Sequence, residues 1–425
     1  MSNAHSKIKN ISKDKKRLLS NFLSLSALQI FTYALPLLTL PYLVRVLGVE
    51  KYGLVMFAQS FIIFFSILVD YGFNLSATRE VSVNRDNKEK ITEIFSSVIT
   101  LKVGLMVVSL LLLTVIVFSF EKFYADKELY FITYLIVMGQ GLFPVWYFQG
   151  LERMKYITLI NILSRVIFTI AIFIFIHEED DYILLPVLNG LGVISGSIYS
   201  LYIIKKVFNQ KFVFQGFGTL YKYFKDSTNF FFSRVSVSIY TSANAIVLGL
   251  FTNNTMVGYY SIAEKLYQAI QGLYGPITQA LYPYVAKEKN IKLFKKIFYS
   301  VITLNIMGVI FLFYFGESIF SFLFTQEVGE ESIDVFHIFL LANLVTVPSV
   351  LIGYPLLGAL GYTRFANNSV IFGSFIHFFG LSILVFFGGI NIYNVVLMVV
   401  LTELFVFTYR MFWVINKKLY NEVIK

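Results

Sequence analysis

The stretch PLLTLPYLVRVLG, residues 36–48, closes the first long apolar run of the chain. Two prolines, Pro36 and Pro41, lie five residues apart, and a single arginine, Arg45, precedes Gly48. Proline removes a backbone donor, and a charge inside hydrocarbon is costly. A membrane helix that ends in this way is expected to bend at its prolines and to place its arginine near the headgroups. We therefore predict a hinge at Pro36 and Pro41 in the outer part of a first membrane span.

The composition predicts an all-α polytopic membrane protein. Of the 425 residues, 57% are hydrophobic and only 14% are charged, whereas a soluble chain carries about 25% charged residues. The apolar residues gather in runs of roughly 20, the length that crosses about 30 Å of hydrocarbon as a helix. Twelve transmembrane helices are predicted, at about 20–46, 54–78, 94–119, 129–150, 156–176, 182–204, 227–251, 257–284, 297–320, 333–357, 366–388 and 391–415.

The connections between the predicted spans alternate in charge. Basic residues concentrate on the side of the N-terminus, and the C-terminal segment with Arg410 and Lys417 is counted with them. The opposite side carries few basic residues and two acidic clusters, HEEDD at 177–181 and the carboxylates of 327–334. By the positive-inside rule both termini are cytoplasmic. The net charge of +10 is then explained by topology and contact with membrane lipids, and no nucleic-acid partner is predicted.

The two halves of the chain resemble each other. Gly53 and Ala58 match Gly258 and Ala263 at an offset of 205 residues, each pair opening a predicted even-numbered span. This pattern predicts a duplication of six plus six spans, with an N-terminal bundle at 1–204, a cytoplasmic linker at 205–226 and a C-terminal bundle at 227–425. Parallel repeats of this kind are typical of transporters whose substrate path lies between the halves.

Ionisable residues inside predicted spans are the first candidates for function, because they are costly in a bilayer. Lys102 lies near a cytoplasmic end and is interpreted as snorkelling. Asp70 is equally consistent with a structural pair and with a transport role, and Arg234 with snorkelling and with a cavity. Arg165 and Glu403 lie near mid-span and are predicted to face a cavity.

Two predicted spans carry polar stripes. A stripe on span 8 comprises Glu264, Gln268, Gln271, Gly275, Thr278 and Tyr282, and one on span 7 comprises Asn229, Ser233, Ser236, Tyr240 and Asn244. Such positions can be hydrogen-bonding contacts between helices, but stripes along most of a span favour helices that line a hydrated cleft. Pro276 gives span 8 a third predicted hinge.

No motif of an enzyme is found. The chain has no cysteine, no G-x-S-x-G or Walker sequence, and no histidine and carboxylate spacing typical of a metal site. We therefore predict no catalytic residue, cofactor or metal, and a role as a secondary transporter.

Three motifs carry a resemblance to a known family. PLLTLPYLVRVLGVEKYG (36–53), VDYGFNLSATREVSVNRD (69–86) and WYFQGLERMKY (146–156) resemble the Wzx-type polysaccharide flippases of the multidrug/oligosaccharidyl-lipid/polysaccharide exporter superfamily. The resemblance is close in the N-terminal half. In the C-terminal half it rests on topology, length and the segment YTSANAIVLG (240–249).

The resemblance implies two six-helix bundles around a central cavity that opens alternately to each side of the bacterial inner (plasma) membrane. It implies a substrate, an undecaprenyl-pyrophosphate-linked oligosaccharide moved to the outer leaflet for O-antigen or capsule biosynthesis. It also implies coupling to a proton or a sodium ion, with a polysaccharide polymerase as a candidate partner.

Under this interpretation the charged and polar candidates take three roles. The candidate anion contacts are Arg45, Arg165, Arg234 and Lys265. The candidate sugar contacts are Gln268, Gln271, Tyr240 and Asn244. The candidates for ion coupling or charge pairing are Asp70, Glu264 and Glu403.

Other functions stay open at this point. A drug/cation antiporter of the same superfamily would suit an acidic cavity better than a mixed or basic one. A membrane polysaccharide polymerase or ligase would need a large outer loop, and the longest one here is short, at about 321–332. A peptidoglycan-precursor flippase of the same fold is usually longer. The oligosaccharide, the coupling ion and the oligomeric state are not determined by the sequence.

Overall fold

The structure is a computed structural model that describes the backbone of residues 2–419 and side chains from residue 26 onward, except at residues 233, 236, 237 and 239–241. Within this range the chain is helical and contains no β-strand, so the all-α prediction is confirmed. The α-helices are α1 (Ser2–Asp70), α2 (Phe73–Val83), α3 (Lys88–Ser119), α4 (Glu121–Tyr124), α5 (Lys127–Leu142), α6 (Val145–Gly150), α7 (Met154–Phe175), α8 (Leu184–Lys206), α9 (Phe217–Phe251), α10 (Asn254–Gly272), α11 (Gly275–Glu288), α12 (Ile291–Leu323), α13 (Gln326–Ile352), α14 (Thr363–Phe386) and α15 (Ile392–Asn416). A 3₁₀ turn at Glu179–Ile183 precedes α8, and a π-helical segment at Gly353–Gly358 follows α13.

The length and apolar character of the helices make this a multi-pass membrane protein. In the described part of the chain, nine helical segments are long and apolar enough to cross a membrane. One of them, Ser26–Val83, takes up two predicted spans. Predicted span 7 contributes the short apolar segment Ser242–Phe251 of α9, and predicted span 8 is divided between α10 and α11. The number of twelve spans stays a prediction.

Several predicted spans are interrupted rather than continuous. Span 2 breaks between α1 and α2, where Tyr71 and Gly72 adopt positive φ values of 44° and 76°. Span 4 breaks before Pro144, and span 10 continues from α13 into the π-helical segment. Prolines and glycines at these points remove or free backbone groups, which inside a membrane is tolerated only where neighbouring protein satisfies them.

The opening stretch of the sequence lies inside the long helix α1. The helix runs through Pro36 and Pro41, and its non-helical residue is Gly48, with φ 71° and ψ 159°. A left-handed φ is reached at low cost by glycine, so the chain changes direction there. The hinge at Pro36 and Pro41 stays a prediction.

The helices form two compact units that interleave along the chain. Unit 1 consists of the chain up to Leu35, Ile62–Phe175 and Ile183–Arg234, and unit 2 of Pro36–Phe61, Ile176–Tyr182 and the chain from Val235 onward. The domain boundaries predicted from the sequence stay a prediction.

Each unit has its own apolar core. In unit 1 the core is aromatic, with Trp146, Tyr147 and Phe148 buried beside Phe95 of α3. In unit 2, Leu351 and Leu357 pack with Val285 of α11. Between α8 and α9 the linker is held to α3 in unit 1, since the Val213 amide donates to Ser96 Oγ at 3.0 Å.

The repeat seen in the sequence reappears as a reciprocal contact inside unit 2. A Cβ added to Gly53 would lie 1.9 Å from the carbonyl oxygen of Asn254, and one added to Gly258 would lie 2.4 Å from the carbonyl oxygen of Val49. Asn254 and Val49 are themselves separated by the repeat offset of 205 residues. Each half of the repeat therefore presents its glycine to the same place on the other half, as a local two-fold relation requires.

Candidate functional site

Unit 2 contains a cavity of about 330 Å³ whose lining combines charged, polar and apolar side chains. This volume lies at the lower end of the range of small-molecule sites, roughly 300–1,000 Å³. Its walls come from α9, α10, α13, α14 and α15. The lining residues are Asn244, Tyr260, Glu264, Tyr267, Gln268, Gln271, Phe339, Thr346, Val350, Val370, Val399, Glu403, Val406 and Arg410.

The polar face of α10 forms one wall of this cavity. Glu264, Gln268 and Gln271 follow one another at spacings of four and three residues, which places them on the same face of a helix. Glu264 accepts a hydrogen bond from the Tyr260 hydroxyl at 3.0 Å. Of the stripe predicted on span 8, these residues line the cavity, while the remaining members lie on α11 beyond the break at residues 273–274.

A buried histidine links the helices behind the cavity. Nδ1 of His377 lies 2.9 Å from Thr402 Oγ1 of α15, and Nε2 lies 2.9 Å from Asn244 Oδ1 of α9. Tyr267 makes a similar link, because its hydroxyl lies 3.1 Å from Thr346 Oγ1 of α13. These bonds satisfy polar groups that would be costly to bury alone, and they fix the helices around the cavity.

Glu403 is the second carboxylate that lines the cavity. Its side chain is only 8% exposed and lines the cavity between the apolar residues Val399 and Val406. Among the residues that the structure describes, no donor makes a hydrogen bond to it. The Arg410 guanidinium on the same helix acts on Glu403 electrostatically, but a buried carboxylate that accepts no hydrogen bond is expensive, which makes Glu403 a candidate binding group.

Arg410 lines the same cavity, although the sequence grouped it with the basic cytoplasmic residues. It is 7% exposed, and its Nε donates to Ser369 Oγ at 2.8 Å. Its Nη1 donates to the carbonyl oxygen and the hydroxyl of Ser349, at 2.8 and 3.2 Å. The signal that could have found it is its spacing: Arg410 follows Glu403 by seven residues, two helical turns along one face.

In unit 1 the structure pairs two charges that the sequence treated separately. Lys102 is buried, with 1% of its side chain exposed, and its Nζ donates to Asp70 Oδ1 at 3.1 Å. The snorkelling interpretation of Lys102 is therefore wrong, because Asp70 at the end of α1 supplies a counter-charge inside the unit. Asp70 lies directly before the interruption at Tyr71 and Gly72.

Tyr71 fixes this interruption against α9. Its ring stacks on Phe224 and Phe231 with centroids 4.3 and 4.6 Å away. Its hydroxyl lies 3.3 Å from Thr228 Oγ1. The acidic residue and its lysine are thus held beside a rigid break in the helix.

The remaining candidates lie elsewhere. Arg45 is exposed in unit 2, with Nη2 at 3.4 Å from the carbonyl oxygen of Leu323. Arg165 is half-buried in α7 and Arg234 is exposed on α9, both in unit 1. Lys265 is half-buried beside Glu264, and it is not among the residues that line the cavity. The side chain of Tyr240 lies outside the described residues. The roles assigned to these residues stay predictions.

The described geometry brings together Asn244, Glu264, Gln268, Gln271 and Glu403 of the predicted set. With Arg410, this cavity contains two carboxylates and one guanidinium. It is therefore more acidic than the mixed or basic cavity expected from the sequence, and it suits a cation, a proton and the hydroxyl groups of a sugar better than a phosphate.

Comparison with known proteins gives a family match. The family described as "Polysaccharide biosynthesis protein" matches residues 18–289. A protein of Escherichia coli (strain K12) named "Putative O-antigen transporter" is 32% identical over 302 residues, which cover 69% of this chain and 72% of that protein. A protein of Shigella dysenteriae with the same name is 26% identical over 395 residues, 92% of this chain and 98% of the relative. These matches confirm the resemblance that the three sequence motifs carry.

Solved structures support the fold. The lipid II flippase MurJ in an inward closed conformation aligns with a TM-score of 0.74 at 18% identity, covering 95% of this chain and 89% of its own. An inward-facing multidrug resistance MATE family transporter of the MOP superfamily aligns with a TM-score of 0.70 at 13% identity, covering 94% and 100%. At these identities the likeness concerns the fold alone.

Proposed function

We propose, from the premise that this chain belongs to the polysaccharide biosynthesis protein family, that it is a flippase of the bacterial inner membrane. Its substrate is an undecaprenyl-pyrophosphate-linked oligosaccharide repeat unit, which it moves from the cytoplasmic to the outer leaflet by alternating access. It is a secondary transporter with twelve spans and cytoplasmic termini, and it serves the biosynthesis of O-antigen or capsule. The names of its relatives in Escherichia coli and Shigella dysenteriae support this proposal.

The observation that carries the proposal is the cavity among the helices of unit 2, with its charged and polar lining residues. Polar groups inside a membrane protein are costly and mark substrate or ion pathways. Gln268, Gln271 and Asn244 offer amide donors and acceptors, and Tyr260 and Tyr267 offer aromatic surface. This combination suits the hydroxyl groups and apolar faces of a sugar ring. With about 330 Å³, the cavity holds a sugar-sized group and not a complete lipid-linked oligosaccharide.

The charges of this cavity favour a role in coupling. Glu264 and Glu403 outnumber Arg410, so a proton or a sodium ion reduces the excess negative charge, whereas a pyrophosphate increases it. We therefore assign the coupling ion to the unit 2 carboxylates. The anion contacts remain with the arginines outside this cavity, for which Arg165 and Arg234 are the candidates in unit 1.

The experiment is deletion of the gene, followed by measurement of surface polysaccharide and of lipid-linked intermediates in the inner leaflet. Loss of polymer with accumulation of the intermediates is expected, and the intact gene should restore the polymer. Gln268→Ala should lower export at normal protein levels, because it removes an amide from the cavity. Gln326→Ala, on the exposed start of α13, is the matched control. Unchanged polymer without accumulated intermediates in the deletion strain would contradict the proposal.

A drug/cation antiporter is the second candidate, favoured by the acidic cavity. It predicts that the deletion strain becomes sensitive to cationic drugs while its surface polysaccharide is unchanged. The two functions are therefore separated by measuring both properties in one strain.

A further inference from the structure

Two opposite charges of α15, Glu403 and Arg410, line the unit 2 cavity and act on each other electrostatically, but no direct hydrogen bond or ion pair joins them. Glu403 receives no hydrogen bond from any residue that the structure describes. The guanidinium of Arg410 has five N–H donors, and its bonds to Ser369 and Ser349 engage only Nε and Nη1. Both groups are more than nine-tenths buried. Each group therefore has unused hydrogen-bonding capacity, and both line the same cavity.

The present partners of Arg410 lie at an interruption of the neighbouring helix. Ser349 belongs to the last turn of α13, and the Gly353 amide bonds to the carbonyl oxygens of Ser349 and Val350 where the π-helical segment begins. A cation at the C-terminal end of a helix is stabilised by the exposed carbonyl groups. Arg410 thus acts as a cap on α13, supplied from α15.

The absence of a side chain at Gly353 makes room for this cap. A Cβ at this position would lie 2.9 Å from Nη1 and 3.1 Å from Cζ of Arg410. The guanidinium is therefore packed directly against the backbone at the start of the π-helical segment. Any movement of Arg410 away from Ser349 removes the support of this segment.

Glu403 and Arg410 are close enough along α15 for such a movement. A separation of seven residues corresponds to a rise of about 10 Å on one face of a helix, a distance that a long arginine and a glutamate span together. In a low-dielectric site the attraction between an ionised carboxylate and a guanidinium is strong. It competes with the charge-assisted hydrogen bonds that Nη1 donates to Ser349.

The other titratable groups around the cavity are few in the described residues, and Tyr354 of the π-helical segment acts electrostatically on Arg410. Glu264, Tyr260 and Tyr267 face it from α10, while His377 of α14 lies behind it with both ring nitrogens bonded. The lining residues of α13 are Phe339, Thr346 and Val350, which do not titrate. Arg410 is thus the cation that lines this cavity among the described residues.

We propose that Arg410 is a positioning residue that competes with the coupling ion for Glu403. When a proton or cation occupies Glu403, Arg410 caps α13 at Ser349. When Glu403 is empty and charged, Arg410 turns toward it and releases the start of the π-helical segment. This inference rests on the proposed function, and it specifies how the occupancy of the coupling site reaches the neighbouring helix.

The test uses the absence of native cysteine in this chain. Val350 lines the cavity, is 42% exposed and follows Ser349, so Val350→Cys gives one site for a spin label beside the cap. The label's spectrum is recorded on the full chain in lipid vesicles at acidic and at alkaline pH, without substrate. A more mobile spectrum at alkaline pH is expected. Glu403→Gln should keep the less mobile spectrum at both pH values.

Variants of the cap separate the proposal from a purely structural role. Arg410→Ala should lose the pH response, and Arg410→Lys, which retains a positive charge, should keep one. Gly353→Ala displaces the guanidinium without removing it and should give the mobile spectrum at both pH values. If Arg410→Ala does not fold, Gly353→Ala still tests the proposal.

A pH response that persists unchanged in Arg410→Ala, or in Gly353→Ala, would overturn the proposal, as would a spectrum of the parent protein that does not change with pH. The measurement needs no lipid-linked sugar. A failure of the proposed function would instead appear as unchanged polysaccharide in the deletion strain, so the two outcomes are distinguishable.

Discussion

Gly53 offers the sharpest test of the packing inside unit 2. The change is Gly53→Ala, which adds a Cβ 1.9 Å from the carbonyl oxygen of Asn254 and 2.6 Å from the amide nitrogen of Gly258. Both are backbone atoms that no change of rotamer can move. The two helices must therefore separate at their point of closest approach.

The size of the effect follows from two opposing terms. Overpacking of this kind costs about 1–3 kcal/mol, and rigid backbone neighbours place this site at the upper end. Alanine recovers about 1 kcal/mol of helix propensity relative to glycine. A net loss of about 2 kcal/mol is expected, which corresponds to a fall in Tm of roughly 4–8 °C for a unit of this size.

The assay is thermal unfolding of the purified protein in detergent, followed by size-exclusion chromatography of the fraction that remains folded. Gly308→Ala is the matched control, because a Cβ there meets nothing within 4 Å and should leave the Tm unchanged or slightly raised. Gly258→Ala should resemble Gly53→Ala. The double variant should cost less than the sum, since one separation relieves both contacts.

A Tm of Gly53→Ala at or above that of the parent protein would refute the reasoning, provided that Gly308→Ala behaves as expected. It would mean that the close approach of the two repeat-related glycines is not required. Strict additivity of Gly53→Ala and Gly258→Ala would likewise show that the two contacts are independent.

Three further predictions concern unit 1. Lys102→Met leaves the Asp70 carboxylate without its partner and should destabilise the protein by about 3 kcal/mol. Adding Asp70→Asn to this variant should restore much of the lost stability. Thermal unfolding of the single and the double variant measures both effects, and an equal loss of stability in the two would contradict the pairing. Arg165→Ala should lower polysaccharide export at normal protein levels, whereas the control Arg364→Ala, on the exposed start of α14, should not. If Arg165→Ala restores full export in the deletion strain, Arg165 is not an anion contact. Gly72→Ala should reduce the amount of folded protein, because the φ of Gly72 is 76° and the added Cβ would lie 2.6 Å from Cβ of Phe230. A normal yield of folded protein in size-exclusion chromatography would argue against a rigid break between α1 and α2.

Only some of the charged and polar residues that line the unit 2 cavity could be predicted from the sequence. The stripe of α10 was found because spacing on a helix decides which residues share a face, and Glu403 was found because a mid-span carboxylate is costly. Arg410 was missed because its position near the end of an apolar run fits the pattern of cytoplasmic basic residues. Burial of its guanidinium depends on Ser349 of α13, which lies 61 positions away in the chain.

The sequence by itself determined that the protein is an all-α membrane protein, which segments are apolar, and which glycines are repeated at an offset of 205 residues. These are properties of single segments, because the cost of burying a side chain in lipid depends on its own polarity and on the length of the run around it. The tertiary structure alone decided that Lys102 pairs with Asp70, that Glu403 and Arg410 share a cavity without a direct ion pair, and that Gly53 meets the repeat-related Gly258. Such encounters depend on how far helices rotate and approach one another, and no local pattern encodes that geometry.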